Sequence, residues 1–244
     1  MGSVIVITSG KGGTGKTSLT GGIGAALARQ GRRTLCLDGD VGLRNLDLAL
    51  GMADAALMDF TDVMAGCPLD RAVAPHPAID GLYLLTAPLT LPADFAGEAG
   101  FRAMLDRARA DFDFVLVDAP AGLGDGFRLA VSGADRAIVV ATADPASLRD
   151  AQRVVDALEG LSPVHLVVNR VRGRLLRRLG ATIDDAMDAV GLPLLGLVPE
   201  DVRVVLAAGS GQAVCQVTEK GAAQAYENLA RRVQGEQTPL MRIW

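Results

Sequence analysis

The sequence predicts an α/β protein with a doubly wound, mainly parallel sheet of about seven or eight strands. Three observations carry that expectation. Short aliphatic and β-branched runs recur, most too continuous in apolar character for a sheet with one wet face. Longer segments rich in Ala, Leu, Arg and Asp separate them. The alternation persists through the 244 residues, with no internal repeat, low-complexity tract or linker.

The elements follow in order. Val4–Thr8 reads as a first strand and enters a glycine-rich loop, with a helix over Lys16–Gln30. Thr34–Leu37 is a second strand, closing in Asp38-Gly39-Asp40. Leu82–Thr86 is a third, followed by a helix over Asp94–Ala110. Phe114–Val117 ends in Asp118, Ala137–Ala141 leads to a helix over Ser147–Glu159, and Val164–Val168 runs into Asn169-Arg170. Leu194–Val198 precedes Pro199-Glu200-Asp201, and a last helix spans Thr218–Val233. Residues 1–235 therefore read as one domain and 236–244 as a short tail. In such sheets ligands bind at loops leaving the C-terminal ends of strands.

Composition narrows the function classes. The net charge of −4 argues against a globally basic nucleic-acid binder. Three dispersed cysteines, Cys36, Cys67 and Cys215, form neither a disulfide framework nor metal spacing. Two histidines and no C-x-x-C make a zinc enzyme a poor reading. The N-terminus lacks a basic stretch before its apolar run, and no run approaches a bilayer span, so a cytoplasmic location is expected. Of 24 basic residues only Lys11, Lys16 and Lys220 are lysine, and two of these lie in the glycine-rich loop. A compact ammonium fits among phosphate oxygens where a planar guanidinium does not substitute.

That loop, Ser9-Gly10-Lys11-Gly12-Gly13-Thr14-Gly15-Lys16-Thr17-Ser18, fits G-x-x-x-x-G-K-[ST] between a strand and a helix. This is the arrangement of a P-loop NTPase fold. Glycines let backbone N–H groups turn inward around anionic oxygens, and the helix N-terminus points its positive end there. Gly12, Gly13, Thr14, Gly15, Lys16, Thr17 and Ser18 are thus the nucleotide-binding candidates. Lys16 reaches the β- and γ-phosphates, and the Thr17 hydroxyl ligates Mg²⁺.

Carboxylates close the neighbouring strands. Asp38 and Asp40, two residues apart in an extended stretch, point the same way. An apolar run closing in Asp118 is the Walker B pattern, its carboxylate directed at Mg²⁺. Asp38 and Asp118 are the metal-associated candidates beside Thr17. Asp40, with Lys11 and Lys16, is a catalytic candidate. No N-K-x-D occurs, so ATP is expected rather than GTP.

KGGTGKTS resembles the deviant phosphate loop of the MinD/ParA/nitrogenase-iron-protein class of ATPases. D-G-D-V-G-L-R-N-L-D-L-A-L-G (Asp38–Gly51) is similar to the MinD-type string, where ParA-type segregation ATPases read D-x-D-P-Q. Asp59–Gly66, Asp118–Gly122 and Leu197–Asp201 carry the same likeness, which extends from Ser3 to about Arg232. The resemblance implies a slow, Mg²⁺-dependent ATP hydrolase acting as an ATP-switched homodimer for placement of the division site. It implies that Lys11 reaches the partner's nucleotide, that Asp40 orients the attacking water, and that Asp38 and Asp118 stand behind Mg²⁺. It also implies that Asn169, Arg170, Pro199, Glu200 and Asp201 frame adenine. MinC- and MinE-like proteins are the implied partners. A DNA-binding segregation ATPase and a flagellar or pilus-placement regulator share these motifs.

Two features stay open at this level. Arg170, Arg172, Arg174, Arg177 and Arg178 are either a solvated face or a contact for DNA phosphates or an anionic bilayer. The tail carries Leu240, Met241, Ile243 and Trp244, too few after Pro239 for a stable amphipathic helix, so weak peripheral contact with the inner face of the cell membrane is expected.

Overall fold

The structure is a computed structural model that describes residues 2–53 and 55–243. In chain order the elements are β1 (Ser3–Thr8), α1 (Lys16–Arg29), β2 (Thr34–Asp38), α2 (Leu46–Leu50), α3 (Phe60–Met64), α4 (Leu69–Ala72), β3 (Ala74–Pro75), β4 (Leu82–Leu85) and α5 (Gly97–Asp111). Then come β5 (Phe114–Asp118), α6 (Asp125–Val131), β6 (Arg136–Ala141), α7 (Pro145–Ala157), β7 (Val164–Val171), α8 (Gly173–Leu179) and α9 (Ile183–Val190). Last are β8 (Leu194–Pro199), α10 (Val202–Gly209), α11 (Val214–Val217) and α12 (Ala222–Val233).

Among the described residues the strands form one eight-stranded sheet in the order β3-β4-β2-β5-β1-β6-β7-β8. All neighbours are parallel except the two-residue edge strand β3, which runs against β4. The expected strands are all present. The addition is β3, too short and too close to Pro75 to show a period in sequence. From the centre, the chain extends one way through β5, β2 and β4 and the other way through β6, β7 and β8. The loop after β1 lies where the order reverses, the crevice that open α/β sheets use for ligands.

The continuous apolar runs make sense on this topology. Along β1, Val4 and Val6 enter one core with Leu35, Leu37, Val115 and Val117, beneath Phe101 and Met104 of α5. Ile5 and Ile7 enter the other core with Cys36, Leu116, Leu27 and Tyr226, beneath α1 and α12. Residues 4–8 of β1 are therefore interior on both faces, as are all of β2 and β5.

Helix α1 is buried on most sides, from Leu19 to Ala28. Its glycines allow that. A Cβ at Gly22 would sit 2.2 Å from the Tyr226 ring, and one at Gly24 would sit 2.2 Å from Cys36 Sγ. Each mid-helix glycine costs up to ~1 kcal/mol in propensity, which the close packing of α1 on β2 and α12 offsets. Cys36 is thus a small core residue, fully buried, with its thiol pushed far up by burial.

The tail after α12 forms no regular element. Arg232 donates to Thr238 O, while Met241 and Ile243 pack against the two cores. Trp244 lies outside the described residues.

Candidate functional site

The loop Ser9–Gly15 wraps the N-terminus of α1. Gly13 (φ 79°) and Gly15 (φ 90°) both occupy the left-handed region, which turns successive N–H groups toward one concavity. At Gly15 a second constraint applies, because a Cβ there would meet Asn169 Nδ2 at 2.3 Å. Nothing lies within 4 Å of where Cβ atoms would stand at Gly12 and Gly13, so the cradle is open on that side. Lys16 is 8% exposed in this cradle, and Thr14 Oγ1 is buried without a hydrogen-bond partner. A buried hydroxyl left unpaired is costly, and an oxyanion seated in the loop gives it an acceptor.

Two carboxylates close the floor. Asp38 and Asp118 are register partners on the adjacent strands β2 and β5, and they are 1% and 2% exposed. Thr20 Oγ1 donates to Asp118 Oδ1 at 3.1 Å and to Lys16 O at 3.0 Å. Burial pushes the Asp118 carboxyl up to about 7, with hydrogen bonding from Thr17 opposing and the Asp38 charge adding to the rise. Burial raises Asp38 as well, opposed by its hydrogen bonds from Asp40 N (2.9 Å) and Leu46 N (3.1 Å). The strand therefore stops at Asp38, whose carboxylate folds back over its own loop rather than continuing the alternation to Asp40. Asp40 is half-buried. Burial raises its carboxyl and the Lys16 charge lowers it.

This donor set suits Mg²⁺. Hydroxyl and carboxylate oxygens are hard ligands, and Mg²⁺ usually takes one or two protein groups plus phosphates and water. Among the described residues no three His, Cys, Asp or Glu side chains converge as an all-protein metal cage. Thr17, with Asp118 and Asp38 behind it, would hold the ion together with bound phosphates.

Lys11 lies on the outer side of the loop. Its ammonium is 3.0 Å from Asp144 Oδ1, the residue that caps α7 by accepting from Ser147 N at 3.0 Å. Burial raises Asp144, but hydrogen bonds from Thr142 and Ser147 N, together with Lys11, outweigh it and hold the carboxyl at about 2. Sequence reasoning missed Asp144 and Thr20. The signal for Asp144 was present: Asp-Pro after the strand next to β1 is a helix start, and its cap faces the loop.

The remaining candidates line a cavity of 770 Å³ beside the phosphate loop. Strand β7 extends three residues beyond the expected end, through a register shift against β8 between Val168 and Val171. Asn169 is therefore inside the strand, and Arg170 takes a left-handed backbone at φ 54°. Asn169 Nδ2 donates to Thr14 O at 2.8 Å, tying this wall to the loop. Arg170 reaches Gly13 O at 3.3 Å and pairs with Glu200 at 3.2 Å. Arg172 pairs with Glu200 as well, and these bonds hold the Glu200 carboxyl below its usual range. Pro199 lines the cavity. Asp201 lines it too, but its carboxylate accepts from Arg203 and from Ala222 N, anchoring α10 to α12. Val198, Val204 and Val205 give the cavity apolar walls for a flat ring.

The chain matches the CobQ/CobB/MinD/ParA nucleotide binding domain over residues 5–214. It is 40% identical over 247 residues to the septum site-determining protein MinD of Bacillus subtilis, covering 98% of this chain and 92% of that one. The fold superposes with a TM-score of 0.91 on the MinC:MinD cell division protein complex of Aquifex aeolicus, at 36% identity and 98% coverage of both chains. With MinD of Pyrococcus horikoshii, solved with Mg-ADP, the TM-score is 0.83 at 31% identity, over 96% of each chain. The chain belongs to the CobQ/CobB/MinD/ParA nucleotide-binding family and, within it, to the MinD septum-site-determining ATPases.

Proposed function

We propose that this division-site ATPase works as an Mg²⁺-dependent, ATP-switched homodimer. One observation supports this above the rest: a single loop keeps Lys16 buried over paired carboxylates while it leaves Lys11 outside, on a latch. Lys16 and the loop N–H groups bind the β- and γ-phosphates. The Thr17 hydroxyl, hydrogen-bonded to Asp118, would hold Mg²⁺, which would supply neutralisation of the phosphate charge. Asp40, half-buried and next to Lys16, holds the attacking water. Asn169, Arg170 and Pro199–Asp201 enclose the adenine. Lys11 leaves Asp144 to reach a nucleotide on a second copy, because in its own subunit it points away from the cradle.

The switch is tested by light scattering with ATP and Mg²⁺. Asp40→Ala should bind ATP, hydrolyse it poorly and accumulate as dimer. Lys11→Ala should bind nucleotide and stay monomeric. If Asp40→Ala remains monomeric, the dimer reading fails.

A MinC-like partner follows from the relative solved as a MinC:MinD complex. No helix among the described residues is long and apolar enough to cross a membrane. The proposed peripheral contact rests on the tail, where Leu240 is 45% exposed while Met241 and Ile243 are partly committed to the cores. Co-sedimentation with anionic vesicles should show modest binding with ATP, little with ADP, and none after deletion beyond Pro239. A DNA-binding role has one observation in its favour: Arg174, Arg177 and Arg178 are exposed and have no ion pair among the described residues. Binding to random-sequence DNA that falls when these three are changed to Gln would favour it.

A further inference from the structure

The opposite pole of the sheet, at the N-terminal ends of the strands, holds a second charged concavity. Its two lobes, of 540 and 590 Å³, share His165, Arg232 and Gly235. Arg136, at the start of β6, and Arg32, before β2, line the first lobe with Arg232 of α12. Among the described residues none of these three arginines has a carboxylate within ion-pair distance.

Two of the three nearby acids are hydrogen-bonded elsewhere. Asp135, next to Arg136, takes Arg109 at 2.5 Å and Val4 N at 2.8 Å. Asp113 lines the cleft but accepts from Arg33 N at 2.8 Å. Glu236 stands on the second lobe without an ion pair.

The arginines are instead oriented by neutral groups. Arg136 Nε and Nη2 donate to Ser3 Oγ, and Nη1 donates to Val233 O at 3.0 Å. Arg232 donates to Leu195 O at 3.1 Å and to Thr238 O in the tail. Arg32 Nε donates to Gln234 Oε1 at 2.6 Å. These contacts fix two half-buried guanidinium planes and leave N–H groups of each unused. Burial lowers Arg136 from its ordinary value, and burial together with the Arg136 charge lowers His165. The Asp135 charge opposes the fall at Arg136 without cancelling it.

We propose that this cleft is a second anion site, distinct from the nucleotide site, and that it takes a phosphate-bearing group between Arg136 and Arg232, on the Nη hydrogens that their protein contacts leave unused, with Arg32 across from it. Phosphate is the fitting chemistry because its several charged oxygens can take charge-assisted bonds from the unused Nη hydrogens of both guanidiniums at once. The cleft is open and its arginines come from β6, α12 and the turn before β2, so a compact headgroup or a free phosphate enters without disturbing the cores. Nothing in this site depends on dimerisation or hydrolysis.

The test uses the whole chain saturated with Mg-ADP, so that the phosphate loop is filled, and titrates inorganic phosphate at constant ionic strength by calorimetry. Saturable binding is expected. Arg136→Met should weaken it about tenfold or more, and Arg32→Gln about two- to threefold. Arg71→Gln, an exposed arginine on α4, should leave it unchanged. If Arg136→Met fails to fold, Arg136→Lys and the exposed Arg32→Gln carry the same reading. Absence of saturable binding, or equal loss in Arg71→Gln, would overturn the site. A prior ADP titration reports on the nucleotide reading separately. Vesicles of phosphatidylglycerol and of phosphatidylcholine distinguish the source. Arg136-dependent sedimentation with the former assigns a lipid headgroup, and phosphate binding without sedimentation assigns a free anion.

Discussion

At the C-terminal ends of β2 and β5, Asp38 and Asp118 lie almost fully buried and face one another in register. The end of β7 and the residues just after β7 and β8, on the same rim of the sheet, place Arg170, Arg172 and Glu200 in ion pairs at the surface. The first region holds like charges out of water, and burial drives Asp118 toward neutrality. The second keeps opposite charges solvated, where pairing is worth little. The difference separates two tasks on one rim. Buried carboxylates that cost stability are useful only when a cation and phosphates arrive to balance them. Surface pairs can shift to admit a ring without such a penalty.

The largest effect should come from Asp118. Its folded carboxyl titrates at about 7, against an ordinary 3.8. Between those values the folded protein holds a proton that the unfolded chain has released, so its contribution to stability falls as pH rises through that window and levels off above about 7. The accumulated penalty is up to roughly 4 kcal/mol. In EDTA and without nucleotide, Asp118→Asn should therefore be more stable than the parent above pH 7, with the gain shrinking toward pH 4, and should lose ATP hydrolysis. Urea unfolding across that range checks it. A gain that does not vary with pH would show that Asp118 is not protonated by burial.

Gly15→Ala should cost about 2–4 kcal/mol, the sum of a left-handed backbone and a displaced Asn169 hydrogen bond. Thermal unfolding would register the loss, and ADP affinity should fall with it, because Asn169 ties the wall proposed to hold adenine to the loop. An unchanged ADP affinity would separate the two regions that the Asn169–Thr14 bond joins. Asp144→Ala should act on the switch more than on the fold. It frees Lys11 and removes one cap of α7, worth about 1 kcal/mol, and dimerisation with ATP should need less nucleotide than in the parent. If dimerisation is unchanged, Asp144 does not restrain Lys11. Glu200→Gln is the mildest. The melting temperature should stay within about 2 °C, and any effect should appear as weaker adenine discrimination between ATP and GTP.

Much of this was legible along the chain because it is local. A buried parallel strand needs an unbroken apolar run, so Val4–Thr8 and Ala137–Ala141 declare themselves. The phosphate loop is also contiguous, since its donors are backbone N–H groups and the next helix's first turn. The helix starts were less legible. The last helix begins at Ala222 rather than Thr218, because Thr218 and Gly221 serve contacts with Arg203 and Asp201 from α10. The extension of β7 through Asn169 and Arg170 depends on β8 alongside it.

The sequence by itself determined which residues can bind phosphate and which strand ends carry acids, because those properties belong to residue type and immediate neighbours. Only the tertiary structure decided the charge states and the pairings. Asp118 is raised because α1 and two strands exclude water from it. Lys11 is latched because β6 delivers Asp144 beside a loop 133 residues earlier in the chain. Arg136 and Arg232 share a cleft because the last helix returns to the start of the sheet. Burial and long-range contact are set by packing, and no window of sequence contains both partners.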